Sequence, residues 1–218
     1  MNEQTGLRAR KKERTHRAIS DAAITLFLEL GYDRVSVADV AAAAEVSKPT
    51  LFRYFPSKED LVLHRFADHQ GEAARVVRER APGEPPLTAL HRHFRTGLKE
   101  RDPVTGLNDH PEVLAFHGLV YSTPALEARL ARFGAQDQDA LAEALREAVA
   151  VEPYDLAPRL AATQLVAVHQ VLARENWRKI VAGRTADEVH PEAVSDADRA
   201  FGLLGEGLGS VLSALRAG

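Results

Sequence analysis

The chain has 218 residues, 45% of them apolar, a formal net charge of -3 and no cysteine. Its length suits one large domain or two small ones, and without cysteine it has no disulfide, thiolate metal site or cysteine nucleophile. There is no run of 18 apolar residues, and the N-terminus is polar and basic with no apolar signal core, so a soluble cytoplasmic protein with no membrane partner is expected.

Residues 1–14 are the first feature, a basic and flexible arm. Arg8, Arg10, Lys11, Lys12, Arg14 and Arg17 face only Glu3 and Glu13 within residues 1–17. Residues 1–65 carry a balance of +2 and the rest -5. Such an arm suits a phosphate backbone, where counterion release drives sequence-independent affinity, although it also describes a solvated tail.

From there the texture is helical throughout, rich in Ala, Leu, Glu and Arg, with no sustained period-2 run. Thr15 is a good N-cap for a helix with Ile19, Ala22, Ala23, Leu26, Phe27 and Leu30 on one stripe, stopped by Gly31. Ser36, with Asp39 at the capping-box position, opens a second helix, and Ser47 opens a very short third ending near Tyr54. After Pro56, Ser57 and Asp60 open a fourth, expected to run to about Arg80. The segment Ala81–Pro86 is a loop. Helices follow at about 87–99 and 113–121, and Thr123-Pro124 starts a long one. Asp155 caps another, reaching about Val181; residues 183–195 are polar and loop-like; Ser195 caps the last. The fold class is all-α. A three-helix domain at 15–65 precedes a larger helical domain at 66–218.

Two short helices joined by Ala44-Glu45-Val46-Ser47 form a candidate helix-turn-helix. In the second, Leu51 and Phe55 lie four apart and should pack inward. Lys48, Thr50, Phe52, Arg53 and Tyr54 are left on the outer arc. A helix this short can enter a major groove end-on, with its N-terminal residues at the base edges. An ordinary capped turn with a solvated face has the same spacing.

Several blocks in order decide between these. Ala22-Ala-Ile-Thr-Leu-Phe27, Gly31-Tyr32, Val35-Ser-Val-Ala-Asp-Val40 and Thr50-Leu-Phe-Arg-Tyr-Phe-Pro-Ser-Lys-Glu-Asp-Leu61 resemble the TetR family of bacterial repressors, over roughly the first 65 residues. The resemblance implies that Lys48, Thr50 and Arg53 read bases, with Pro49 and Phe52 in apolar contact. It implies that Tyr54, Lys58, Thr15 and Ser36 hold phosphates. Two positions depart from the pattern. Glu45 stands where glycine is common, with no evident conformational consequence, and puts a negative charge near DNA. Phe52 stands where tyrosine is common, so a hydroxyl contact is missing.

The resemblance also implies that the last two helices form an intersubunit four-helix bundle, hence a homodimer on a pseudo-palindromic operator. Leu160, Gln164, Ala167, Val168 and Val171 make one stripe. Leu204, Leu208, Val211, Leu212 and Leu215 make another, with Gly205, Gly207 and Gly209 allowing close approach. A small-molecule effector would bind between about 87 and 181, among Phe94, Phe116, His117, Tyr121, Phe133, His169 and Trp177. An apolar or amphipathic ligand, acyl-CoA-like among the options, fits better than a highly charged one. No cofactor is expected. The nine histidines include no i, i+4 pair suited to a metal, so no metal site is expected either. A helical-bundle enzyme has no motif to rest on. A ligand-independent DNA binder leaves some 150 residues without a task.

Overall fold

The computed structural model describes residues 3–67, 69–149 and 155–212, excluding the side chains of 3–9, 11, 65, 67 and 208–212. Among them there are helices and short 3-10 turns and no strand. The chain divides into two units. One comprises Met1–Asp68 with Ala115–Ala131, the other His69–Leu114 with Arg132–Gly218.

The first unit opens with α1, Glu3–Leu30. Thr15 is therefore inside a helix and is not its N-cap, and the described part of the basic segment is helical instead of a flexible arm. The cause is local. Arg, Ala, Lys and Glu are strong helix formers, and Glu13 and Arg17 pair one turn apart at 3.0 Å. Gly31 ends the helix as expected, at φ 90 with its N–H on the Phe27 carbonyl. A 3-10 turn at Tyr32–Arg34 leads to α2, Val37–Ala43, and α3, Lys48–Tyr54, and then to α4, Asp60–Ala67. The Ser36–Asp39 capping box is fully formed. Ser57 caps α4: its hydroxyl accepts from the Asp60 N–H and donates to the Asp60 carboxylate. Ile19, Ala23, Phe27, Val40, Leu51, Phe55, Leu61 and Val62 are almost wholly buried. Burial of Val, Leu, Ile or Phe side chains contributes about 1.5–3 kcal/mol each, which holds these short helices in place.

The expected helix from Ser57 to Arg80 is broken in two. After α4 a turn at residues 69–71 leads into α5, Glu72–Arg78, with Gly71 at φ 72. Glycine takes that left-handed conformation at no steric cost, and the freed Gly71 N–H donates to the Asp137 carboxylate at 2.9 Å.

The second unit contains α5, α6 (Pro86–Glu100), most of α8 (Pro124–Val149), α9 (Ala157–Val181) and α10 (Ala186–Leu212). Helix α7, Pro111–Ser122, belongs mostly to the first unit, as does the start of α8. Helix α10 packs on α6 and α9. Gly106, at φ 71, lies so close to α9 that a Cβ there would come within 1.9 Å of the Ala173 carbonyl oxygen. Asn176 secures the same turn by donating to the Thr105 carbonyl at 2.9 Å.

The last helix starts ten residues before expected. Residues 186–195 are helical, and Ser195 is interior. Thr185 is the cap: its hydroxyl accepts from the Glu188 N–H and its own N–H donates to the Glu188 carboxylate. Pro191 sits within the helix, so no N–H faces the Asp187 carbonyl. Ala186, Val189, Ala193, Ala197, Phe201 and Leu204 form one buried stripe that holds the helix through the proline.

Candidate nucleic-acid interface and effector region

Helix α3 is anchored from below. Leu51 and Phe55 are 0% and 1% exposed. Since 3.6 residues make a turn, burying these two leaves Lys48, Pro49, Phe52 and Arg53 facing out, and all four are exposed. Phe52 keeps 48% of its surface in water. The Arg53 guanidinium lies 5.6 Å from the Tyr54 ring centroid, within cation–π range. Tyr54 is half-buried, 6.3 Å from the His16 ring of α1. Thr50 is half-buried too. Its N–H and hydroxyl both meet the Ser47 hydroxyl, which caps the helix.

The turn before α3 differs from its sequence-based description. Glu45 has φ 54, the left-handed region that disfavours any residue with a Cβ by about 1–2 kcal/mol. A glycine there would relax the backbone, so the substitution does have a conformational consequence.

The expected phosphate contacts are partly committed elsewhere. Lys58 turns its ammonium onto the Tyr32 carbonyl at 2.5 Å and lies 4.1 Å from the Tyr32 ring centroid. It therefore ties α4 to the turn after α1. The Tyr32 hydroxyl donates to Glu59 at 3.0 Å; burial, then the Glu59 charge, raises its pKa. The Ser36 hydroxyl serves the Asp39 capping box, whose hydrogen bonds hold the Asp39 carboxyl below the usual carboxylate range. Thr15 is half-buried in the middle of α1, away from any helix N-terminus.

The seven expected effector contacts fall into two groups. In the first unit, Phe116 and His117 lie 5.6 and 6.1 Å from the Phe66 ring of α4, and Tyr121 lies 5.8 Å from His117. Burial pushes His117 down to about 4. In the second unit, Phe94 and His169 meet at 5.1 Å, joined by Phe201 of α10 at 5.6 Å from His169. Burial, with the nearby His93, pushes His169 down to about 4. Phe133 and Trp177 belong to the second unit as well, Trp177 with its indole nitrogen buried. Phe66 and Phe201 escape a sequence reading confined to residues 87–181.

In the same unit as the first group, Arg129 at the start of α8 grips Asp60 at the start of α4, at 2.9 and 2.8 Å. Two sequence-distant helix ends are thus joined within the first unit. Only the cap role of Asp60 is visible in the sequence.

On α9, Leu160 and Val171 are 56% and 61% exposed, and Gln164 and Ala167 on the same face are exposed too. Val168 is partly buried against the chain's own core. On α10 the outward face is one residue away from the expected stripe: Leu204 is buried at 7%, whereas Leu203 is 65% exposed. Gly205 packs near Leu87 of the same chain. The side chains of Leu208, Val211 and Leu212, and residue Leu215 altogether, lie outside the described residues. No group of three or more potential metal ligands occurs among the described residues. No described helix is long and apolar enough to cross a membrane.

Comparison with known proteins agrees with this geometry. The family model for bacterial regulatory proteins of the tetR family matches residues 19–64, from α1 through α4. The HTH-type transcriptional regulator TcmR of Streptomyces glaucescens is 35% identical over 197 residues, covering 89% of this chain and 87% of that one. Among solved structures, native NalD, the secondary repressor of the MexAB-OprM multidrug efflux pump in Pseudomonas aeruginosa, has a TM-score of 0.57 at 20% identity, covering 86% of this chain and 97% of that one. The SmeT–triclosan complex has a TM-score of 0.56 at 18% identity, covering 89% and 91%. These two likenesses concern the fold; the identity to TcmR spans nearly the whole of both chains, and on that ground the chain belongs to the TetR family of bacterial transcription regulators.

Proposed function

We propose that the protein is a homodimeric repressor that reads a pseudo-palindromic operator with α3 and leaves it when an apolar or amphipathic small molecule binds its helical domain. The observation that carries the reading is the exposed set Lys48, Pro49, Phe52 and Arg53 on a helix pinned by fully buried Leu51 and Phe55. In this account Arg53 and Lys48 donate to base edges, with Arg53 able to engage a guanine through two parallel bonds. Phe52 and Pro49 meet apolar groups such as a thymine methyl. Thr50 reaches its base from the cap of α3, while Tyr54 and Ser36 touch phosphates and fix the register. Lys58 acts mainly by holding α4 to the turn at Tyr32, which orients the recognition helix.

Dimerisation through the exposed face of α9 and the Leu203 face of α10 sets two copies of α3 about 34–36 Å apart, or a multiple of that. Release is a population shift: the effector binds better to a state whose recognition helices are wrongly spaced, and the coupling is reciprocal. No lysine or arginine is buried among the described residues. That favours an effector without phosphate groups over an acyl-CoA-like one, whose charges would need partners.

Selecting binding sites from a random duplex pool tests the reading. An enriched inverted repeat, released by a member of a panel of uncharged small molecules, is the expected result. Enrichment of no sequence would contradict sequence-specific recognition. Enrichment that no compound disturbs would leave a ligand-independent regulator.

A further inference from the structure

A polar atom buried without a partner is rare, because it forfeits the hydrogen bonds it made to water and gains none in return. In the second unit the Nε2 atom of His169 is buried and has no hydrogen-bond partner. Its setting is aromatic. The Phe94 ring of α6 lies 5.1 Å away and the Phe201 ring of α10 lies 5.6 Å away, with 6.2 Å between the two phenylalanines. The rings are held from outside. His91 stacks on Phe201 at 4.7 Å and meets Asp198 at 2.8 Å, and Asp198 also receives Arg95 at 3.0 Å. On the α5 side, Glu72 faces His93 at 3.3 Å and His69 at 2.8 Å.

We infer that the His169 imidazole is the polar anchor of the effector site, and that the effector it receives is an uncharged aromatic molecule bearing a hydroxyl group. This rests on the effector-controlled reading above. Each feature follows from a property of this aromatic cluster. Rings flanking the imidazole favour a planar aromatic partner, stacked or edge-on. A half-buried imidazole that stays neutral, with its Nε2 out of reach of water, offers no countercharge, so an anionic or cationic ligand would be desolvated without compensation. Nε2 is a donor in one tautomer and an acceptor in the other, and a hydroxyl serves both because it can accept and donate.

The test compares two probes that differ by one group, 2-naphthol and naphthalene, on the full-length protein. Affinity is read from thermal stabilisation and from Trp177 fluorescence. Satisfying a buried polar atom predicts roughly tenfold tighter binding of 2-naphthol, in line with the cost of leaving such an atom unpaired. The His169→Phe substitution, which keeps a ring and removes both nitrogens, is expected to reduce that preference to within about twofold. In the wild-type protein 2-naphthol also shifts the His169 Nε2 nitrogen resonance, a readout that needs no variant. Equal affinity for the two probes, a preference that survives His169→Phe, an unmoved resonance, or no binding of either probe up to its solubility limit overturns the inference. Operator binding is measured alongside. If 2-naphthol binds through His169 and leaves operator affinity unchanged, the site stands and the effector-release reading fails. If 2-naphthol releases the operator equally from wild type and His169→Phe, the release reading stands and the assignment of His169 fails.

Discussion

Glu45 shows how one backbone angle changes what a residue means. At φ 54 its backbone is strained whatever charge the side chain carries. The Glu45→Gly variant relieves that strain and makes the unfolded chain freer, two effects of opposite sign. Relief is the larger, and a gain of about 1 kcal/mol is expected, read as a higher denaturant midpoint with an unchanged slope. A lower midpoint would show that the Glu45 side chain makes a compensating contact. Neighbouring positions separate side chains into two kinds. Lys58 and Ser36 spend their polar groups on the protein, whereas Lys48 and Arg53 project from α3. Sequence pattern picks out both kinds equally well, because it sees residue type and spacing but not which backbone carbonyl a long side chain will find.

At the level of elements, local signals were legible where they were self-contained. The Ser36–Asp39 box, the Ser47 cap, the Ser57–Asp60 pair and the arrest at Gly31 each need only three or four neighbouring residues, and each appears in the structure. The misreadings arise where a local cue competed with its context. Thr15 has the chemistry of a cap, but helix formers upstream carry α1 through it. Pro191 and a polar run hide the start of α10, although Thr185-Ala-Asp-Glu188 is itself a capping box. The break between α4 and α5 turns on Gly71, whose freed N–H is answered by Asp137, far away in sequence. The Arg129–Asp60 clamp is of the same long-range kind. Arg129→Met takes the guanidinium away from the Asp60 carboxylate, which is 8% exposed and keeps the Ser57 hydroxyl. The expected loss is about 1–3 kcal/mol of stability in the first unit. Adding Asp60→Asn, which removes the stranded charge, should recover part of it in a double-mutant cycle. Strict additivity would show that the two side chains do not act as a pair.

At the scale of the whole molecule, the buried His117 and the half-buried His169, whose Nε2 is shielded from water, make stability depend on pH. His117 and His169 have folded-state values of about 4 against an ordinary 6.5. Between those values the unfolded chain binds more protons than the folded one, so stability rises with pH. Their contribution is fully present above about pH 6.5 and is lost as pH falls through about 4. Unfolding free energies measured from pH 7 to 4 should decline in the wild type and decline less with His117→Leu and His169→Leu together. An unchanged slope would mean that both imidazoles reach water. The all-helical class was legible because period-3.6 stripes run through the whole chain. The outer faces of α9 and α10 were less so. Both helices carry apolar residues on more than one side, and only burial shows that Leu204 belongs to the core while Leu203 faces out. The family is one of transcription regulators, and not of enzymes.

Sequence reading by α3 is the claim on which the rest depends, and the affinity ratio of operator to random duplex, measured for the wild-type protein and for Arg53→Ala, tests it most directly. A base-reading Arg53 predicts that the ratio falls by about 1–3 kcal/mol in the variant while the dependence of random-duplex binding on salt stays nearly the same. Equal losses on both duplexes would make Arg53 a phosphate contact and contradict the proposed mode of recognition.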